Sequence, residues 1–219
     1  LWRRVRELSA SPDGRPLPQV LPEDLYRRYA AARDRYVRRD RNLEQQRPII
    51  VAARVYESAV EARGLVPGRD VEAQVERAAR RAGIKTTDTK LHADPDVLLD
   101  HAARVPAPAE LDCFAKVLAT VEADEKRLAA RAHAWAVGDI DALRAFDYPD
   151  LRRQCLAFPG WPSPLREALD DADDRWLAAA ERALAEHRTA FGTLDLRDLM
   201  TPDGLLARLR ERGYSIHAP

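Results

Sequence analysis

Apolar residues recur at helical spacing along most of this chain, so the pattern predicts a succession of helices. Trp2 to Leu8 reads as a short helix, stopped by the turn-forming run from Ser9 to Gly14. Pro16, Pro18 and Pro22 predict an extended stretch after it. Pro22-Glu23-Asp24 then opens a helix with Leu25, Tyr29, Ala32 and Tyr36 on one face. Its proline and acids suit the unpaired N–H groups of a first turn. Pro48 to Ala62 predicts another helix, with Ile49, Ile50, Ala53, Tyr56 and Val60 inward and Gly64 as its cap. Asp70 to Arg81 follows, turning Val71, Val75, Ala78, Ala79 and Ala82 to the core and ending at Gly83. Asp94-Pro95 starts a short helix through Ala103.

The longest helix runs from Ala109 to Val137 on a stripe of Leu111, Phe114, Leu118, Val121, Leu128, Ala132 and Trp135. Asp139 caps a short helix carrying Leu143 and Phe146, and a further short element after Pro149 contains Cys155. The irregular run Phe158 to Pro164 leads into a helix reaching Glu186, interrupted or capped near Asp170 to Asp174. Thr201 and Pro202 read as N-cap and first residue of a last helix to Arg212, closed by Gly213.

Three segments carry a strand pattern instead: Ile84 to Leu91, Arg188 to Leu196 and Tyr214 to Ala218. The expected fold is a helix-dominated α/β domain, with a small central mixed sheet flanked by many helices. At 219 residues one such domain can bury a full core.

Charge removes some functions. Thirty-six basic and thirty-six acidic residues cancel, which argues against a protein that grips nucleic acid through a basic surplus. Arg27, Arg28, Arg33, Arg35, Arg38, Arg39 and Arg41 decorate one helix and its end, but Glu23, Asp24, Asp34 and Asp40 interleave with them. That mixture reads as a solvated surface rather than an anion-binding stripe. No apolar run approaches the roughly 20 residues that span a bilayer. The chain starts at Leu1 without a methionine, which predicts a mature form or a fragment.

Candidate chemistry is sparse. The sequence has no phosphate loop, no dinucleotide-binding glycine turn, no CxxC pair, no HExxH helix and no GxSxG elbow. His92 beside Asp94 and Asp96 has metal-ligand residue types, but on a strand end before Pro95 their side chains diverge, so a solvated turn is the reading. His101, His133 and His187 stand singly on helices, as partners for local carboxylates, and His217 has no partner in sequence. The acids at Asp170, Asp171, Asp173 and Asp174 lack the spacing and glycine of a calcium loop. Cys113 and Cys155 are either two buried thiols or one disulfide. Composition leaves both open; a bridge closing this loop would contribute on the order of 3–4 kcal/mol.

The order of several blocks resembles the TraB/GumN family, which includes the Tiki-type metalloproteases. In the C-terminal part these are Trp176, the helix end Ala183-Leu184-Ala185-Glu186, Thr189-Ala190-Phe191, Pro202-Asp203-Gly204-Leu205-Leu206, and Leu209 through Ile216. Earlier counterparts are Arg47-Pro48 opening a helix, the Val71 to Ala82 helix before Gly83-Ile84-Lys85, and Ala132 to Asp139. The resemblance covers the chain from Leu21 onward. It implies a metal site built from two Gly-x-x-His motifs and a central glutamate, able to activate water.

Set on this chain, that site is incomplete. The first motif would precede Leu1. Asp88 is the carboxylate nearest the glutamate position, within Thr87-Asp88-Thr89. Asp198 stands where the second histidine would, in Asp195-Leu196-Arg197-Asp198, with the glycine also lost. No catalytic residue and no cofactor is therefore assigned. The chain resembles in particular a divergent, exported branch of the family found in xanthomonad-type bacteria. That likeness implies a Cys113–Cys155 disulfide, a periplasmic location, a removed signal peptide and missing N-terminal strands.

The leading expectation is a periplasmic protein that has lost metal catalysis and works by binding, in an apolar or mixed cleft near Phe191. Two others stand beside it. One is a metal-dependent hydrolase of peptidase type, its ligands partly upstream of Leu1 and a divalent metal its cofactor. The other is an envelope-associated interaction module. A fold without its first strands would expose a sheet edge, so the chain is expected to pair with itself or with a removed N-terminal segment.

Overall fold

The computed structural model describes residues 2–11, 13–40, 42–64, 69–90, 94–148, 150–156 and 164–217. In chain order its α-helices are α1 Trp2–Ser9, α2 Leu17–Val20, α3 Glu23–Ala32, α4 Pro48–Glu61, α5 Arg69–Arg81 and α6 Pro95–Ala103. There follow α7 Ala107–Val137, α8 Ile140–Arg144, α9 Leu151–Leu156, α10 Pro164–Glu186, α11 Leu196–Met200 and α12 Leu205–Glu211. A π-helical turn, Arg33–Val37, continues α3, and Leu43–Gln45 forms a 3-10 turn.

No strand forms among the described residues, so the predicted central sheet is corrected to an all-helical architecture. The sole β feature among them is an isolated bridge between Ala10 and Gln46. The physical reason is visible in each predicted strand. Residues 84–89 take no regular structure, and the Lys90 N–H turns back to the Asp88 carboxylate at 2.8 Å rather than to a neighbouring strand. Residues 188–195 are irregular and end where Asp195 caps α11. Tyr214 gives its N–H to the Leu209 carbonyl at the close of α12, at 3.1 Å. A segment without a laterally placed partner has nowhere to send ladder bonds, whatever its β-branched content. Leu91 and Ala218, the ends of two predicted strands, lie outside the described residues. Among the described residues there is accordingly no sheet edge.

Smaller corrections follow the same logic. The proline-rich stretch is not wholly extended: Leu17–Val20 makes one helical turn, with Pro18 at a position where its missing N–H costs nothing. The last helix is capped by Gly204, three residues beyond the predicted Thr201, because Leu196–Met200 forms a separate short helix first. The helix α10 runs unbroken through the acidic residues.

The chain divides into two compact units. The first comprises residues 1–65, 93–129 and 151–166. Its core is built from Leu17, Leu21, Leu25, Tyr29, Leu43, Val51, Val55, Phe114, Leu118 and Val121. Tyr29 packs its ring 5.7 Å from that of Phe114, and both are fully buried. The buried face of α4 is Val51, Ala52, Val55, Ser58 and Ala59, one step round from the predicted Ile49, Ala53 and Val60. Among the cysteines, Cys113 on α7 and Cys155 on α9 stand as a disulfide with Cα atoms 5.0 Å apart. Both lie within this core.

The second unit comprises residues 66–92, 130–150 and 167–219. Its hydrophobic cluster is smaller: Leu177, Leu205 and Leu209, flanked by Trp176, Leu194, Leu206, Tyr214 and Ile216. Val71, Ile84, Trp135 and Phe191 stay exposed, although the periodicity placed Val71 and Trp135 inward. Among the described residues no helix is long and apolar enough to cross a membrane.

Candidate functional site

Asp198 lies in the short helix α11, which the sequence Asp195-Leu196-Arg197-Asp198 starts with Asp195 at the N-cap, its side chain making no capping hydrogen bond. The helix stops at Thr201, whose hydroxyl and N–H both donate to the Arg197 carbonyl, at 2.7 and 2.8 Å. Gly204 then passes close beneath: a Cβ placed there would stand 2.7 Å from the Asp198 carbonyl oxygen and 3.1 Å from that of Thr201. Only glycine fits so near a backbone oxygen. The family-like Pro202-Asp203-Gly204 block is thus a device that folds α12 back over α11.

The Asp198 side chain is committed. Its Oδ1 accepts from Arg197 Nε at 2.9 Å and from Nη2 at 2.5 Å, while Arg197 Nη1 pairs with Asp150. The three side chains are about four-fifths buried, so this is a partly desolvated Asp150–Arg197–Asp198 cluster. Burial holds the Asp198 carboxyl above its ordinary range. Arg197 pulls it back down, and Asp195 and Asp173 push it up. Asp150 was not legible beforehand, being 47 positions away in sequence with no periodic relation to α11.

Asp88 has its place elsewhere in the second unit, in the turn before Lys90. It is exposed and accepts the Lys90 N–H, a local turn of the kind aspartate favours. The Lys90 ammonium bonds to Glu76 at 2.7 Å and sits 3.4 Å from Glu72, which raise its pKa.

The remaining candidates disperse. His92 lies outside the described residues. Asp94 caps α6 by accepting the Asp96 N–H at 2.8 Å, and Asp96 and Asp100 both pair with Arg4. Asp174 accepts from Arg208 at 2.6 Å, which lowers its pKa. His101 is buried, whereas His133, His187 and His217 are exposed. Phe191 is 81% exposed, so it borders open surface rather than the expected cleft. Among the described residues no three His, Cys, Asp or Glu side chains gather to hold a metal ion. The Asp198 surroundings do not fit a divalent cation either, because a guanidinium already occupies the carboxylate and opposes a second positive charge.

The chain matches the TraB/PrgY/gumN family across residues 3–218 and belongs to that family. No curated protein and no solved structure matches it.

Proposed function

We propose that this protein is a periplasmic member of the family that has given up metal catalysis in its C-terminal block and acts by binding. The observation that carries the proposal is the double hydrogen bond from Arg197 to Asp198 Oδ1. A histidine at that position would offer a neutral nitrogen to a metal. The aspartate instead completes an ion-pair cluster whose cation holds it in place. Asp88, the other candidate, spends its carboxylate on a turn beside an ammonium group. The Cys113–Cys155 bridge supports the compartment, since structural disulfides persist where the surroundings oxidise.

The test is calorimetric titration of the whole chain with zinc, manganese and cobalt, paired with an assay of peptide hydrolysis. The expected result is no saturable uptake that depends on Asp198. Stoichiometric uptake that Asp198→Ala abolishes, together with metal-dependent hydrolysis, would overturn the reading and restore the hydrolase.

A further inference from the structure

The arginines that follow Tyr26 do not behave as one solvated face. Arg28 forms a two-pronged pair with Glu122, at 2.9 and 2.8 Å, and Arg33 is held by Asp34 and Glu44. Arg41 lies outside the described residues. Arg27 stays on the exposed face of α3, whereas Arg35, Arg38 and Arg39 gather where α3 continues into the π-helical turn Arg33–Val37, a rare geometry that recurs at functional positions. There the turn, the residues after it and α4 border an open, surface-facing cavity of about 310 Å³, the size of a small-ligand site.

Its walls are chemically uneven. Arg38, Arg39 and Arg54 line it, with Tyr36 on one side and Ser58 among the lining residues. Arg38 spends only its Nε on the Asp34 carbonyl, at 3.1 Å, leaving the two Nη groups for another acceptor. Arg54 has Glu57 at 3.9 Å, too far for a hydrogen bond, and Arg39 has no polar partner among the described residues. Ser58 is nine-tenths buried, and its hydroxyl likewise has no partner among those residues. Tyr36 is fixed in place. Arg63 donates to its hydroxyl at 3.0 Å and stacks 5.2 Å from its ring centre.

Two explanations compete for these cations. A helix C-terminus attracts positive charge, which accounts for Arg38 on a helix carbonyl. It does not account for Arg54, which comes from the middle of α4. Of the two aspartates in the lining, Asp34 is neutralised by Arg33, and only Asp40 opposes an anion. Guanidinium groups with unused donors that line one cavity together with a serine make an oxyanion site.

We propose that this cavity binds a small oxyanion, a phosphate or carboxylate group, through Arg38, Arg39, Arg54 and the Ser58 hydroxyl, with Tyr36 as a wall for the rest of the ligand. The site lies wholly within the first unit and does not depend on the fate of Asp198.

The test titrates the intact chain with inorganic pyrophosphate and, separately, with citrate, followed by calorimetry at about 0.15 M salt, where the Debye length is about 8 Å. Saturable one-to-one binding of either is expected, and the stronger of the two identifies the oxyanion. The double variant Arg39→Ala/Arg54→Ala should weaken it at least about tenfold, as expected for loss of charge-assisted hydrogen bonds. Ser58→Ala should weaken it too without removing any charge. Arg27→Ala, an exposed arginine of α3 outside the cavity, should leave it unchanged. The proposal falls if neither ion saturates the protein, or if Arg27→Ala costs as much as the double variant. Zinc uptake is a separate measurement, so failure here leaves the reading of Asp198 untouched, and the reverse holds as well.

Discussion

Arg47 and Glu110 are joined by an ion pair although 63 residues separate them, and their side chains are only 9% and 5% exposed. Arg47 precedes Pro48 at the start of α4, and its Nη1 also donates to the Ala102 carbonyl at the end of α6, at 2.8 Å. Glu110 lies in the first turn of α7. One guanidinium therefore ties three helix ends together, and the Arg47-Pro48 block has a structural purpose.

Breaking one side of a buried pair strands the other charge. Arg47→Met and Glu110→Leu should each cost about 3–5 kcal/mol, while the double variant should cost less than either single change. Urea denaturation of the four proteins measures this. Additive losses would show that the two groups do not depend on each other.

The pH dependence of the pair has a definite sign. Burial raises the Glu110 pKa and Arg47 only partly restores it, so the folded protein binds this proton more tightly than the unfolded chain. That contribution is complete below the unfolded pKa, about 4.3, and is lost as the pH rises through the folded value. The stability of the protein relative to Glu110→Gln should therefore fall as the pH is raised through this window. Asp174, lowered by Arg208, should do the opposite: its stability relative to Asp174→Asn grows as the pH rises. Denaturation of each pair at several pH values reads both slopes, and matching signs would contradict the assignment.

Gly204→Ala should destabilise the protein by about 1–3 kcal/mol, because the new methyl group meets two carbonyl oxygens that no rotamer can move. Gly192→Ala is the comparison. There the added carbon would sit 3.6 Å from the Trp176 ring, ordinary contact, and little change is expected. Equal melting temperatures for the two variants would refute the close approach.

Removing the disulfide with Cys113→Ala/Cys155→Ala should cost about 2–5 kcal/mol. Mass spectrometry with alkylation before and after reduction should find both cysteines protected until reductant is added. Labelling of either without reductant would count against the bridge.

Helices with a proline start, a glycine stop and an apolar stripe were readable in advance, α7 above all, where Phe114, Leu118, Val121 and Leu128 are all buried as their spacing implies. The inward face of α4 was not, because Ile49, Ile50, Val51, Ala52 and Ala53 are apolar in succession and leave the phase undetermined. The strands failed for another reason. Ile84 to Leu91 has the composition of a strand, but pairing is a property of two segments and the described residues supply no second one. At the candidate site Asp198 and its neighbour Arg197 could be named from order alone. Asp150, which completes their charge balance, could not, and neither could Arg54, which joins Arg38 and Arg39 only once α4 lies beside the end of α3.

The bridge between α7 and α9 encloses residues 114–154. A protease that cuts once within that span, at the exposed Arg144 for example, would sever the backbone without producing two molecules. The nicked protein would migrate as one species on a non-reducing gel and separate into two fragments only in reductant. Cleavage there would thus be a silent event for the assembled molecule in an oxidising compartment, and an irreversible separation in a reducing one.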